Sequence, residues 1–162
     1  MKILWFIALF IFLVLGALVL AGQLGILKGR LPADLGVRNG RLKPPSYSPN
    51  SVSSQADLYP EHPQKEYASI APIQFTGDAD QAMIKLAGIL KDAERTTIIT
   101  LEADYLYAQC TTQVMKFTDD LEFWLDKSAG VIQVRSSSRL GRKDFNVNRQ
   151  RVEAIRAQFA KN

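Results

Sequence analysis

Apolar positions along the chain fall into three regimes. From Ile3 to Gly22 they are almost continuous, with no charged residue between them. From Gly29 to Glu66 they are scattered among prolines and serines, with no period. From Tyr67 onward they recur regularly, every second residue in some stretches and every third or fourth in others.

The periodic regime predicts the folded unit, assigned to residues 67–162. Ile70, Ile73 and Phe75 suggest a short first strand. Asp78 followed by Gln81 has the spacing of a helix N-cap, and Met83, Leu86, Ala87 and Leu90 form the apolar stripe of a helix ending near Asp92. Thr96 to Leu101 is short and β-branched, hence a strand. A turn at Ala103-Asp104 leads into a second strand from Tyr105 to Val114, which sets Leu101 opposite Leu106, Ile99 opposite Ala108 and Thr97 opposite Cys110. The next hairpin turns at Lys127-Ser128-Ala129-Gly130. Counting back pairs Asp126 with Val131, Trp124 with Gln133, Glu122 with Arg135 and Asp120 with Ser137 on one face. Leu125 with Ile132 and Phe123 with Val134 fill the other. A last helix, capped by Asn146, buries Val152, Ile155 and Phe159.

The continuous regime predicts a membrane anchor over residues 1–28. About 20 apolar residues at ~1.5 Å rise each match the ~30 Å hydrocarbon core of a bilayer. A secretory signal needs only roughly 7–15, so the length favours an uncleaved signal-anchor, with cleavage after Ala21 as the alternative. Leu20-Ala21-Gly22-Gln23 resembles a lipoprotein cleavage box without its cysteine, which excludes lipidation by that route. Lys28, Arg30, Arg38, Arg41 and Lys43 follow the span, and counted literally they place the domain in the cytoplasm. A two-residue amino tail before a long apolar run is also how an exporting signal-anchor begins. The expected location is therefore the inner (cytoplasmic) membrane, single-pass, with the domain on the periplasmic side and the charge pattern against it. The same five cations are candidates for contact with anionic headgroups.

Between the two, residues 29–66 read as a Pro/Ser-rich linker. Pro32, Pro44, Pro45, Pro49, Pro60 and Pro63 exclude a long helix or a central strand, while Val52 and Tyr59 offer apolar handles for packing on the domain.

Charge and composition narrow the chemistry. The formal net charge of +4 arises before Glu66, after which basic and acidic side chains balance. That balance argues against a nucleic-acid partner. With one cysteine and one histidine in the chain, no intramolecular disulfide and no His/Cys metal centre can be assembled, and no cofactor is expected. A triad would have to use His62, in a proline-flanked stretch. Cys110 reads as a buried small hydrophobe.

Polar residues concentrate between Phe117 and Phe159. Arg135, Ser137 and Arg139 project from one strand face near the start of the last helix, whose first turns carry Arg149. These four residues are the candidate site for an anionic ligand or lipid headgroup. The competing reading is internal pairing: Glu122 with Arg135, Asp120 with Arg139 diagonally, and Asp144 with an arginine of the last helix. Asp119, Asp120 and Glu122 could alternatively hold a cation or serve acid/base chemistry, although Asp119 points away from the other two. Alternation also gives Trp124, Tyr105 and Tyr107 a non-core face, as an adaptor for another membrane or envelope protein would need.

The same block resembles a known family. Phe117-Thr118-Asp119-Asp120-Leu121-Glu122-Phe123, Val134-Arg135-Ser136-Ser137-Ser138-Arg139-Leu140-Gly141, Asp144 and Asn148-Arg149-Gln150-Arg151-Val152-Glu153-Ala154 are similar to the domain-of-unknown-function 1499 family. Leu35-Gly36, Asn39-Gly40-Arg41-Leu42 and Ser48-Pro49-Asn50-Ser51-Val52-Ser53-Ser54 resemble its opening motif. The resemblance implies a small α+β domain, often behind a signal or membrane segment, and no established catalytic activity. In that family cysteines commonly occupy the positions of Pro45 and Ser51; both are absent here. Asn50, Ser51, Val52, Ser53, Ser54, Asp119, Asp120, Glu122, Asp144, Asn148 and Arg151 are expected to be structural motif residues.

The sequence thus predicts an α+β protein with one transmembrane helix and an antiparallel sheet of four to five strands packed against two helices. Its expected role is non-enzymatic binding or interaction in the bacterial envelope.

Overall fold

The computed structural model describes residues 1–161 and is α+β. Its first helix, α1 (Lys2–Gln23), has only Gly22 buried and is long and apolar enough to cross a membrane. A six-stranded antiparallel sheet follows: β1 (Ser51–Ser53), β2 (Ile73–Gln74), β3 (Thr96–Leu101), β4 (Tyr105–Thr111), β5 (Thr118–Asp126) and β6 (Val131–Ser138). The order is β1-β6-β5-β4-β3, with β2 also pairing with β6. The sheet is larger than four to five strands because β6 is long enough to pair two short strands in succession along one edge. α2 (Lys65–Ala68) is a single turn, whereas α3 (Ala79–Asp92) and α4 (Val147–Lys161) cover one face of the sheet.

The core lies between that face and the two helices. Asp78 Oδ1 accepts from the Gln81 N–H at 2.8 Å, opening α3 as its spacing predicts. Met83, Leu86 and Leu90 of α3 and Val152, Ile155 and Phe159 of α4 pack on Leu106, Ala108, Cys110, Leu121, Phe123, Leu125, Ile132 and Val134. Every β5–β6 pair counted from the sequence is present.

The β3–β4 register differs. Leu101 does face Leu106, but a bulge between Ile98 and Thr100 sets Ile98 opposite Ala108 and Thr96 opposite Cys110. One extra residue, Ile99, is accommodated on β3 and every earlier pair slips by one. The strand β4 also ends at Thr111 rather than Val114.

Two further corrections concern the caps and the proline-rich segment. The last helix is opened by Asp144, whose carboxylate accepts from the N–H groups of Asn146 and Asn148, both at 3.1 Å. Asn146 itself has a φ of 67°, the left-handed conformation that Asn tolerates. The stretch expected to be a linker is built into the fold: Leu42, Pro45, Asn50, Val52 and Ala56 are buried, and β1 forms the edge of the sheet next to β6. Its prolines keep clear of β1 itself, which is only three residues long.

Residues 29–48 form a strap over the second face of the sheet. Gly36, Pro44 and Ser46 bond to Glu122, Arg135 and Ser137, and a Cβ at Gly40 would lie 3.7 Å from the Trp124 ring. Trp124 is six residues along β5 from Thr118, on the order of 20 Å at ~3.3 Å per residue. The β4–β5 loop before Thr118 is the part of the domain that touches the end of α1. Lys28 and Arg30 therefore stay close to α1, whereas Arg38 and Arg41 are carried to the far end of the domain. The five cations do not form one cluster.

Candidate functional site

Both faces of the β5–β6 hairpin carry buried polar networks, and together they account for nearly all the residues singled out from the sequence. On the strap face, Glu122 is 0 % exposed. Its Oε1 accepts from the Gly36 N–H at 2.8 Å and the Tyr105 hydroxyl at 2.9 Å, and its Oε2 lies 3.3 Å from Arg135 Nη1. Beside it, Arg139 donates to Asp120 from Nε at 3.0 Å and from Nη2 at 2.7 Å, and Tyr107 donates to Asp120 Oδ1 at 2.6 Å. Burial pushes the Tyr107 hydroxyl up to about 12, helped by its bond to the Asp120 carboxylate. Tyr105 is raised further, again first by burial and then by Glu122.

The helix face carries a second network. Arg151 of α4 meets Asp119 at 2.6 Å and also donates to Asn148 Oδ1 at 2.8 Å. Asn148 donates from Nδ2 to the Asn50 carbonyl at 3.1 Å, Ser138 Oγ at 2.9 Å and Asp144 Oδ2 at 2.8 Å, and accepts from Ser136 Oγ at 2.5 Å. Asp144 also accepts from the Tyr67 hydroxyl. Burial works against its charge, but the bonds from Tyr67, Asn148 and the α4 N–H groups outweigh this and hold its carboxyl below the usual range.

The four residues expected to form an anion site are not brought together. Arg135, Ser137 and Arg139 share the strap face, where Glu122 and Asp120 already neutralise both arginines and Ser137 Oγ lies 3.3 Å from Ser46 Oγ. Arg149 is on the helix side, donating to the carbonyls of Ser69 at 3.0 Å and Tyr67 at 2.6 Å. Of the expected internal pairs, Glu122 with Arg135 and Asp120 with Arg139 are present. Asp144 pairs with no arginine, and the pair Asp119–Arg151 takes that role. Asp119 and Arg151 are both in the family block, but only the docking of α4 on β6 shows that they meet.

Asp119, Asp120 and Glu122 likewise fail to converge, since they lie on two faces and each holds its own arginine. No group of three or more His, Cys, Asp or Glu side chains suited to a metal occurs among the described residues.

The side chains of the opening motif make hydrogen bonds and core contacts within the domain. Asn50 donates from Nδ2 to the Gly141 carbonyl at 2.7 Å, Ser53 Oγ accepts from the Gln55 N–H at 3.1 Å, and Ser54 Oγ donates to Gln133 Oε1 at 2.7 Å. Val52 is in the core. Ser51 Oγ accepts from the Ser46 N–H at 2.8 Å, so one of the two positions where the resemblance leads one to expect cysteines is hydrogen-bonded to the residue that follows the other, Pro45.

Sequence reasoning pointed to Trp124, Tyr105 and Tyr107 as non-core but could not show what faces them. A groove of about 570 Å³ runs between the strap and β3–β5, lined by Leu31, Leu35 and Val37 on one side and Ile99, Tyr105 and Trp124 on the other. Glu102 and Asp104 stand at the β3–β4 turn along the same groove. Beyond Gly36, a smaller pocket of about 360 Å³ contains Arg38, Arg41 and Lys43.

No curated protein and no solved structure matches this chain. A family model described as "Protein of unknown function (DUF1499)" matches residues 41–159, from the strap through β1 and both networks to the last turn of α4, and the chain belongs to that family.

Proposed function

We propose that this chain is a single-pass protein of the bacterial inner membrane whose periplasmic domain binds a segment of a partner protein in the groove under the strap. The observation that carries the reading is the groove itself. It is open to solvent, apolar along Leu31, Leu35, Ile99 and Trp124, and bordered by β3, which has no strand on its outer side among the described residues. Ile99, the bulged residue, is half exposed at its wall. An extended segment with aliphatic side chains would bury this surface, and a basic residue at one end would meet Glu102 and Asp104. The anion reading at Arg135, Ser137, Arg139 and Arg149 is set aside in favour of this one, because each of those arginines already has an anionic or carbonyl partner.

Photo-crosslinking in native membranes tests the proposal. A benzophenone side chain at Ile99 or Leu35 should give a discrete adduct with a membrane or envelope protein, absent when the probe is at Ile84 on the exposed side of α3. Equal labelling at all three positions would remove the groove from consideration. A reporter fused after α4 tests the periplasmic assignment separately.

A further inference from the structure

Three segments meet where α1 enters the domain. The anchor's last turn docks on the β4–β5 loop: Gln23 Nε2 donates to the Val114 carbonyl at 2.9 Å, and a Cβ at Gly22 would come within 2.5 Å of the Met115 carbonyl oxygen. Residues 25–29 then fold back against the start of the β6–α4 loop, where a Cβ at Gly29 would lie 2.8 Å from Arg139 Cβ and 3.1 Å from Leu140 Cγ. Phe117 of the first loop, Leu140 and Phe145 of the second, and Val147 at the start of α4 line one apolar slot of about 260 Å³.

The surface these segments share is apolar and cationic. Phe145 is 83 % exposed, and Leu24, Ile26, Val114 and Leu140 are also exposed. Around them stand Lys28, Arg30, Lys116, Arg142 and Lys143, none of which has an acidic partner among the described residues. Residues 22–33, 112–117 and 139–147 hold a single acid, Asp144, and it is buried. On the opposite flank, where β3 begins, exposed Asp92 and Glu94 are balanced by exposed Lys91 and by Arg95, which pairs with Glu94 at 2.7 Å, so the cations in excess lie on the β5–β6 side.

Single exposed apolar residues are ordinary on a protein surface. Here several surround the exit of a bilayer-length helix and are ringed by unpaired cations. We infer that this end of the domain is a second membrane contact: Val114, Leu140 and Phe145 enter the interface of the bilayer that holds α1, and Lys116, Arg142 and Lys143 bind its anionic headgroups. The inference rests on the membrane-anchor reading of α1. The occupant is the anchor's own bilayer, because the contacts of Gln23 and Gly22 with residues 114–115 and of Gly29 with Leu140 place these segments where the helix emerges. Aromatic and cationic side chains at that level gain both apolar burial and attraction to anionic lipid.

Spin-label accessibility on the full chain in vesicles tests this. Single cysteines are placed at Phe145, at Ile84 on the outer side of α3, and at Leu13 in the middle of α1, in a Cys110→Ala background. In phosphatidylcholine vesicles with about a third phosphatidylglycerol, the label at 145 should be shielded from a water-soluble nickel relaxant and open to oxygen, while the label at 84 stays open to nickel. Combined K116Q, R142Q and K143Q substitutions, or vesicles without the anionic lipid, should return 145 towards the behaviour of 84. If 13 is shielded but 145 matches 84 throughout, the second contact is refuted and the anchor reading stands. If 13 is itself open to nickel, both fall.

Discussion

Removing the Arg135 guanidinium is the sharpest test of the strap-face network. R135M keeps much of the aliphatic stem but leaves the fully buried Glu122 carboxylate facing only the Gly36 N–H and the Tyr105 hydroxyl. Breaking one side of a buried ion pair costs roughly 3–5 kcal/mol, against a total stability of about 5–15 kcal/mol for a typical domain. At about 2–4 °C per kcal/mol for a chain of this size, the melting temperature should fall by on the order of 10 °C. E122Q combined with R135M should recover most of the loss, because a glutamine oxygen still accepts from Gly36 and Tyr105 while no charge is stranded. The double variant should lie within about 1–2 kcal/mol of the parent. Urea unfolding of the full chain in mild detergent, followed by Trp124 fluorescence in a Trp5→Phe background, reads these differences directly. An R135M loss under about 1 kcal/mol, or a double variant as unstable as the two single losses added together, would show that Glu122 is not held as described.

Three further outcomes follow from the same geometry. Asp144 has a folded-state pKa below its unfolded value, so its contribution is present above about pH 4 and is lost as pH falls through the folded value; D144N should flatten the acid limb of a stability–pH curve and lower stability at neutral pH. Gly22→Val cannot keep the present contact with the Met115 carbonyl; spin-label distances between Leu13 and Ile84 should broaden while the domain's own unfolding midpoint is retained, and an unchanged distance distribution would refute the docking. Burial raises the Cys110 thiol pKa, with Arg151 opposing it, so aromatic disulfide reagents should modify Cys110 only on the timescale of unfolding.

The sequence made the β5–β6 hairpin legible down to its residue pairs. Its register follows from a four-residue turn and strict alternation, and a slip of one residue would have put Phe123 and Val134 on the wrong face. The stripes of α3 and α4 were legible for a similar reason, since helical spacing admits only one buried face. The bulge at Ile99 was not, because Thr96–Leu101 is uniformly β-rich and nothing in it marks an extra residue. The strap was hidden by its composition. Alternating Asp120, Glu122, Gln133 and Arg135 reads as a solvated face, and the segment that covers it buries little besides Leu42 and Pro45. Hydrogen bonds to the strap backbone bury that face instead, and backbone groups leave no trace in a hydrophobic pattern. The pair Asp119–Arg151 was hidden differently, since its members are separated by 32 positions and meet only through the docking of α4.

Buried ion pairs are weak contributors to stability, and apolar replacements of equal volume often do as well. Their arrangement here accounts better for position than for stability. The donors to Glu122 come from three separate segments: Gly36 of the strap, Tyr105 of β4 and Arg135 of β6. Asp120 likewise joins β4, through Tyr107, to the end of β6, through Arg139. An apolar face would let the strap slide, since burial has no direction, whereas Glu122 accepts the Gly36 N–H in one register only. That register fixes the path of the chain from α1 onto the domain and the width of the groove beneath it. The two ends of the strap are thus held by different means, packing of Gly29 on Leu140 at one and charge-assisted hydrogen bonds at the other. A groove held at a fixed relation to α1 requires such positional restraint more than it requires additional burial.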